Sequence, residues 1–98
     1  MELIFEWNAK KARSNLRKHD ISFEEAKTIF NDPLLATFPD EFQSSSEDRF
    51  ISIGYSAQER ILLAVHTERE EKEKYLIIRI ISCRKATPAE RKTYEEGI

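Results

Sequence analysis

Tyr75-Leu76-Ile77-Ile78-Arg79-Ile80-Ile81-Ser82-Cys83 is the stretch that decides the fold. It is apolar on both sides of the chain direction, β-branched and uninterrupted by Gly or Pro. Such a run reads as a central strand buried on both faces. Two more strands are predicted before it, at about 49–55 and 60–67. The almost wholly charged stretch from Glu68 to Lys74 reads as the turn into the last strand.

Further out, Leu3, Phe5 and Trp7 alternate in a short N-terminal strand. Asn8 is a good N-cap for a helix over 9–18, with Ala9, Ala12 and Leu16 at spacings of three and four, and His19-Asp20 ends it. Ser22-Phe23-Glu24-Glu25 has the form of a capping box, in which Glu25 returns to the backbone of residue 22. The helix it opens should run from 23 to about 30, burying Phe23, Ala26, Ile29 and Phe30, until Asp32-Pro33 stops it. A short strand is expected at 34–38 and a polar loop at 39–48, where Ser44 to Ser46 read as a flexible run. Thr87-Pro88-Ala89-Glu90 opens a last helix, 88 to about 96. The order of elements is α+β, with helices segregated onto one face of a largely antiparallel sheet.

At 98 residues the chain is expected to form one domain over 1–98. Cys83 is the only cysteine, which excludes an intramolecular disulfide and suits a reducing, cytoplasmic setting. Its place at the end of an apolar strand predicts an inert thiol. No apolar run reaches the length of a membrane span, and Met1 to Trp7 lacks the features of a signal peptide, so no membrane association is expected. Two His and one Cys match no zinc spacing, so neither metal nor cofactor is expected.

The chain carries 16 basic and 18 acidic residues, for a net charge of -2. Positions say more than the total. Asn8 to His19 holds five basic residues and no acid, and Arg79 to Ala89 holds Arg79, Arg84 and Lys85 and no acid. The helix cluster reads either as a solvated face or as part of a cationic cleft. Arg79, between isoleucines, must meet a carboxylate, a rim or an anionic ligand. His66, at the end of its strand, is either structural or a proton carrier. His19 sits well at a helix C-terminus. Glu68 is a candidate base that a charged turn would solvate. Tyr94 is expected to pack its ring on the sheet.

Phe5-Glu6-Trp7-Asn8, Lys18-His19, Ser22-Phe23-Glu24-Glu25-Ala26, His66-Thr67, Arg79-Ile80-Ile81-Ser82 and Arg84-Lys85-Ala86-Thr87 with Glu90-Arg91, taken together with Lys11, Asn15, Asp32-Pro33, Arg49, Ile53-Gly54 and Tyr94, resemble the BrnT family. These are toxins of bacterial type II toxin–antitoxin pairs. The chain departs from the family pattern at Asn8, Asp20 and Cys83, where Asp, Gly and Ala are more usual. Asn caps as well as Asp, and Asp20 can take a left-handed conformation at some cost.

The resemblance implies a RelE-like fold and a ribonuclease that blocks translation. It also implies a BrnA-like ribbon-helix-helix antitoxin in a 2:2 heterotetramer, reaching promoter DNA only through the antitoxin. The alternative is a non-catalytic binding module that helps its antitoxin bind DNA. A DNA-binding regulator in its own right fits less well, because no helix-turn-helix glycine is present and the net charge is slightly acidic. For a metal-free ribonuclease, the 2′-hydroxyl of the RNA attacks the adjacent phosphorus. Arg79 and Arg84 then read as phosphate clamps and His66 as the first choice of proton carrier, with Lys18, His19 and Arg49 as secondary candidates for that role and, with Lys85, as phosphate-binding candidates. Arg79 and Arg84 are five residues apart, so a regular strand would send them to opposite faces. A bulge or the strand's end must intervene for them to converge.

Overall fold

The computed structural model describes residues 1–41 and 48–97; the Ser44–Ser46 run lies outside them. Strand β1 (Glu2–Trp7) is followed by helices α1 (Ala9–His19) and α2 (Phe23–Thr28), then a 3-10 turn (Ile29–Asn31). Strands β2 (Ala36–Pro39), β3 (Arg49–Tyr55), β4 (Ile61–Glu71) and β5 (Tyr75–Lys85) come next, and helix α3 (Pro88–Glu95) closes the order. All five strands form one sheet in the order β1-β5-β4-β3-β2. β1 runs parallel to β5 and the other pairings are antiparallel. The chain is therefore α+β, and the isoleucine-rich stretch is β5, an internal strand.

Local signals set the helix ends. Asn8 Oδ1 accepts from the Lys11 N–H at 3.0 Å, and Asp20 closes α1 at φ 58, the left-handed position that Gly more often fills. Ser22 Oγ accepts from the Glu25 N–H at 3.0 Å. The expected return bond from Glu25 does not form, because its carboxylate turns into the protein to meet Arg60 and Ser56. The full reciprocal box forms instead at Thr87 and Glu90. α2 ends sooner than the periodicity suggests. The last turn tightens to 3-10 geometry before Asp32 becomes extended ahead of Pro33.

The core lies between α1–α2 and one face of the sheet. Ile21, Phe23, Ala26 and Ile29 pack on Leu62, Ala64, Ile78, Ile80 and Cys83. Phe5 and Trp7 join from β1, Trp7 meeting Phe23 edge-on at 5.9 Å between ring centroids. Each such side chain contributes about 1.5–3 kcal/mol of burial. Gly54 has no room for a side chain: a Cβ there would stand 3.0 Å from Ile29 Cβ and 3.2 Å from its carbonyl oxygen.

Two expectations are corrected. Glu68 to Lys74 is not all turn: β4 continues to Glu71, and only Lys72, Glu73 and Lys74, the first two at positive φ, make the bend. Charged side chains are no obstacle here, because beyond Thr67 β4 has no partner but β5 and forms the exposed edge of the sheet. The helices are also not all on one face. α3 folds back against β3 and reaches Arg84, whose side chain points away from α1 and α2.

Candidate active site

The face of the sheet opposite the α1–α2 core carries Glu6, Arg79, Thr67 and Arg49 in one row across four strands. Two more rows follow in the direction of α3: Ser82, Val65 and Ile51, then Arg84, Leu63 and Ile53. Arg79 and Arg84 share this face because β5 is bulged. Ile80 pairs with His66 and Ser82 with Val65, so Ile81 is an extra residue. The two arginines, five apart in sequence, thus face Thr67 and Leu63, which are four apart. Four strand residues put them about 13 Å from each other along the sheet.

Arg79 is half-exposed, and its Nη1 donates to Glu6 Oε2 at 3.0 Å. Arg69 donates to the same carboxylate at 3.1 Å. Hydrogen bonds from Arg69 and then Arg79 hold the Glu6 carboxyl below the usual range. Glu6 is thus shared between two guanidiniums. Arg84 is gripped in bidentate fashion by Glu90, at 2.8 Å and 2.9 Å. That bond holds Glu90 as the carboxylate and raises the Arg84 guanidinium. Glu90 also accepts from the Thr87 N–H, so one side chain starts α3 and orients Arg84.

α1 brings the second basic cluster to the same place. β1 stops pairing at Trp7 opposite Ile80, which leaves the edge of β5 beyond the bulge without a neighbouring strand. Asn15 takes that role. Its Oδ1 accepts from the Cys83 N–H at 3.0 Å, and its Nδ2 donates to the Cys83 carbonyl at 2.8 Å and to the Ile21 carbonyl at 3.0 Å. The last turn of α1 is thereby fixed beside Ser82 and Arg84. Lys18 and His19 line a cleft of about 490 Å³ with Ile51, Leu63, Val65, Ser82, Arg84 and Glu90. A smaller hollow extends it over Lys11 and Ser14.

His66 stands elsewhere. It is fully buried, on the α1–α2 side of the sheet, in mid-strand and not at a strand end. Phe50 stacks on it and Phe30 meets it edge-on. Ser52 Oγ lies 2.7 Å from Nε2 and, on its other side, 2.8 Å from Thr37 Oγ1. Nδ1 has no hydrogen-bond partner among the described residues, the Glu68 carboxylate being 3.7 Å away. Burial pushes the imidazole down to about 4 and pushes the Glu68 carboxyl up. The fold therefore does not bring His66 to Arg79 and Arg84. Lys85, next to Arg84 but on the other side of the strand, is also separated from the cleft. Arg49 stands in the Arg79 row. Cys83 is buried, with its thiol pushed up to about 12. Tyr94 donates its hydroxyl to Asp32 Oδ2.

The burial of His66 has a pH consequence. The unfolded chain protonates this imidazole near 6.5, the folded chain only near 4. The unfolded state thus binds more protons between those values, and stability falls as pH drops through that window. The expected contribution is about 3 kcal/mol. Glu68, whose protonation favours the folded state, opposes it. Urea midpoints for wild type and His66→Gln at pH 7.5, 5.5 and 4.5 check this: the wild type should lose stability more steeply. Parallel profiles would contradict it.

Sequence reasoning missed Glu90 and Asn15 as parts of the site. Glu90 was visible as a cap, but its grip on Arg84 depends on α3 folding back. Asn15 gave a weak signal, as the one uncharged polar side chain directly following Ser14 on a basic helix.

Among the described residues, no group of three or more His, Cys, Asp or Glu is placed to hold a metal ion, and no helix is long and apolar enough to cross a membrane. A family model described as the ribonuclease toxin BrnT of type II toxin–antitoxin systems matches residues 7–90. Curated proteins yield no match. Among solved structures, the 1.1 Å crystal structure of the Brucella abortus ribonuclease toxin BrnT is similar, with a TM-score of 0.62 at 19% identity. The match covers 89% of this chain and 99% of that one, and at this identity it speaks for the fold alone. With the family model spanning nearly the whole chain, from the end of β1 into α3, the protein belongs to the BrnT family of type II toxin–antitoxin ribonuclease toxins.

Proposed function

We propose that the chain is an endoribonuclease that cleaves RNA in the cleft between α1 and β5, without a metal ion, and so blocks translation in the cytoplasm. The observation that carries this reading is the meeting of Lys18 and His19 with Ser82 and Arg84 on one cleft. Lys18 and Arg84 supply cations for the non-bridging oxygens of a phosphodiester, with guanidinium suited to bidentate contact. Preorganised positive charge stabilises the dianionic transition state as the 2′-hydroxyl attacks phosphorus. His19, not His66, is the imidazole on this cleft, and it is assigned the proton transfer. Arg79 and Arg49, about 13 Å along the sheet, hold the flanking backbone. An antitoxin of BrnA type, with a ribbon-helix-helix domain and 2:2 stoichiometry, would neutralise the toxin and carry it to promoter DNA.

The burial of His66 is the one observation that favours the non-catalytic binding module. One experiment decides between them: incubation of purified wild type, His19→Ala, Arg84→Ala and Arg79→Ala with RNA, with and without EDTA. Cleavage should survive EDTA. It should fall about 10²-fold or more in His19→Ala, as expected for a lost acid–base group. Arg84→Ala should fall comparably and Arg79→Ala less. Full activity in all three variants, at equal soluble levels, would sink the site; no cleavage by wild type would favour the binding module.

A further inference from the structure

A second cationic hollow, of about 390 Å³, lies at the end of the sheet where the β3–β4 turn, the last residue of β5 and α3 meet. Arg60, Lys85 and Arg91 line it, with the ring of Tyr55 and one carboxylate, Glu59. Lys85 and Arg91 are exposed and make no ion pair among the described residues. Arg60 is held rigidly from behind: Nε and Nη2 are bound to Glu25, and Nη2 also donates to the Asp20 carbonyl. Its Nη1 carries no hydrogen bond among the described residues. Tyr55 is 46% exposed, and its ring stacks on no other aromatic side chain among the described residues.

We propose that this hollow binds a nucleotide phosphate with its base stacked on Tyr55, as a subsite for the RNA strand that leaves the cleft. Fixed and mobile cations around an exposed aromatic ring are the combination that single-stranded nucleic acid uses, charge for the backbone and a π-face for the base. The position supports the link. Arg84 and Glu90 line the cleft, while their sequence neighbours Lys85 and Arg91 line the hollow. The segment from Arg84 to Arg91 is thus the wall between the two, and a strand crossing the start of α3 passes from one to the other. Glu59 adds one carboxylate to the lining, which can accept a hydrogen bond from a base but repels a second phosphate.

The inference rests on the ribonuclease reading for the source of the phosphate, and the test separates the two. The probes are a ten-nucleotide 2′-O-methyl RNA, titrated at several salt concentrations, and adenosine 5′-monophosphate, followed through the Tyr55 ring signals by NMR. Relative to wild type, Arg91→Ala should bind the oligonucleotide several-fold more weakly, with a salt slope smaller by about 0.7, one single-strand phosphate contact. Its cleavage of a dinucleotide, too short to reach the hollow, should be unchanged. Lys85→Ala should show the same change in slope. A mononucleotide response at Tyr55 with oligonucleotide binding unaffected would reassign the hollow to free nucleotides and overturn the subsite. Unchanged affinity and slope with no response at Tyr55 would overturn the hollow altogether. If wild type cleaves no RNA yet both probes bind through Arg91, the ribonuclease reading fails and the phosphate site stands.

Discussion

Arg60→Ala is expected to cost the protein about 3–5 kcal/mol of folding stability, the usual penalty for stripping the partner from a buried charge. The side chain of Glu25 is 1% exposed, and its carboxylate receives Arg60 Nε at 2.9 Å, Arg60 Nη2 and the Ser56 hydroxyl at 2.7 Å. Without Arg60 that charge stays inside the protein with one hydroxyl for company. Small domains have about 5–15 kcal/mol in total, so the variant stands near the threshold of folding. The control is Arg60→Met with Glu25→Leu, which removes both charges and should recover most of the loss. The hydrogen bonds from Arg60 hold the Glu25 carboxyl below the usual range. The pair therefore stabilises fully above the ordinary carboxylate range, and its contribution is lost as pH falls through the lowered folded value. Urea denaturation of wild type, Arg60→Met, Glu25→Leu and the double variant near neutral pH measures the coupling. A single-variant loss under 1 kcal/mol would show that the charge is not confined as the geometry indicates.

Asn15→Ala is the second large effect. It leaves the Cys83 N–H, the Cys83 carbonyl and the Ile21 carbonyl without their partner in a buried region. At about 1–3 kcal/mol for each unsatisfied group, and allowing for partial access of water, the expected loss is about 3 kcal/mol. The residue also holds the end of α1 to β5, so Lys18 and His19 should lose their register with Arg84. Activity at a temperature where the variant remains folded should then fall further than the folded fraction does. Amide hydrogen exchange at Cys83 is the direct measurement: protection should drop sharply there and little in β3. Protection equal to wild type would rule out the brace.

The positions of these two residues show where sequence reading stops. Ser22 and Glu25 were read as a capping box from three residues of separation, and half of it forms. The other half lost to Arg60, 35 residues on, because a guanidinium in a poorly hydrated site outcompetes one backbone N–H for a carboxylate. His66 gave no warning of its burial. Leu62-Leu63-Ala64-Val65 is apolar on both faces, so alternation cannot say which side is the core. The same ambiguity hid the bulge at Ile81, which follows from the register of β4 against β5.

The chain by itself determined the strands apart from the charged end of β4, the helix caps at Asn8, Ser22 and Thr87, the left-handed stop at Asp20 and the two basic segments. These depend on forces acting within a turn or two of chain: side-chain alternation, capping hydrogen bonds and the stiffness of proline. The tertiary structure alone decided that the basic segments meet, that Arg79 and Arg84 share a face, and that His19 and not His66 reaches the cleft. Those outcomes turn on one extra residue in a ladder and on Asn15 finding Cys83 across 68 positions. Pairings at such separations are set by how the whole sheet and its helices fit together, and no local pattern encodes them.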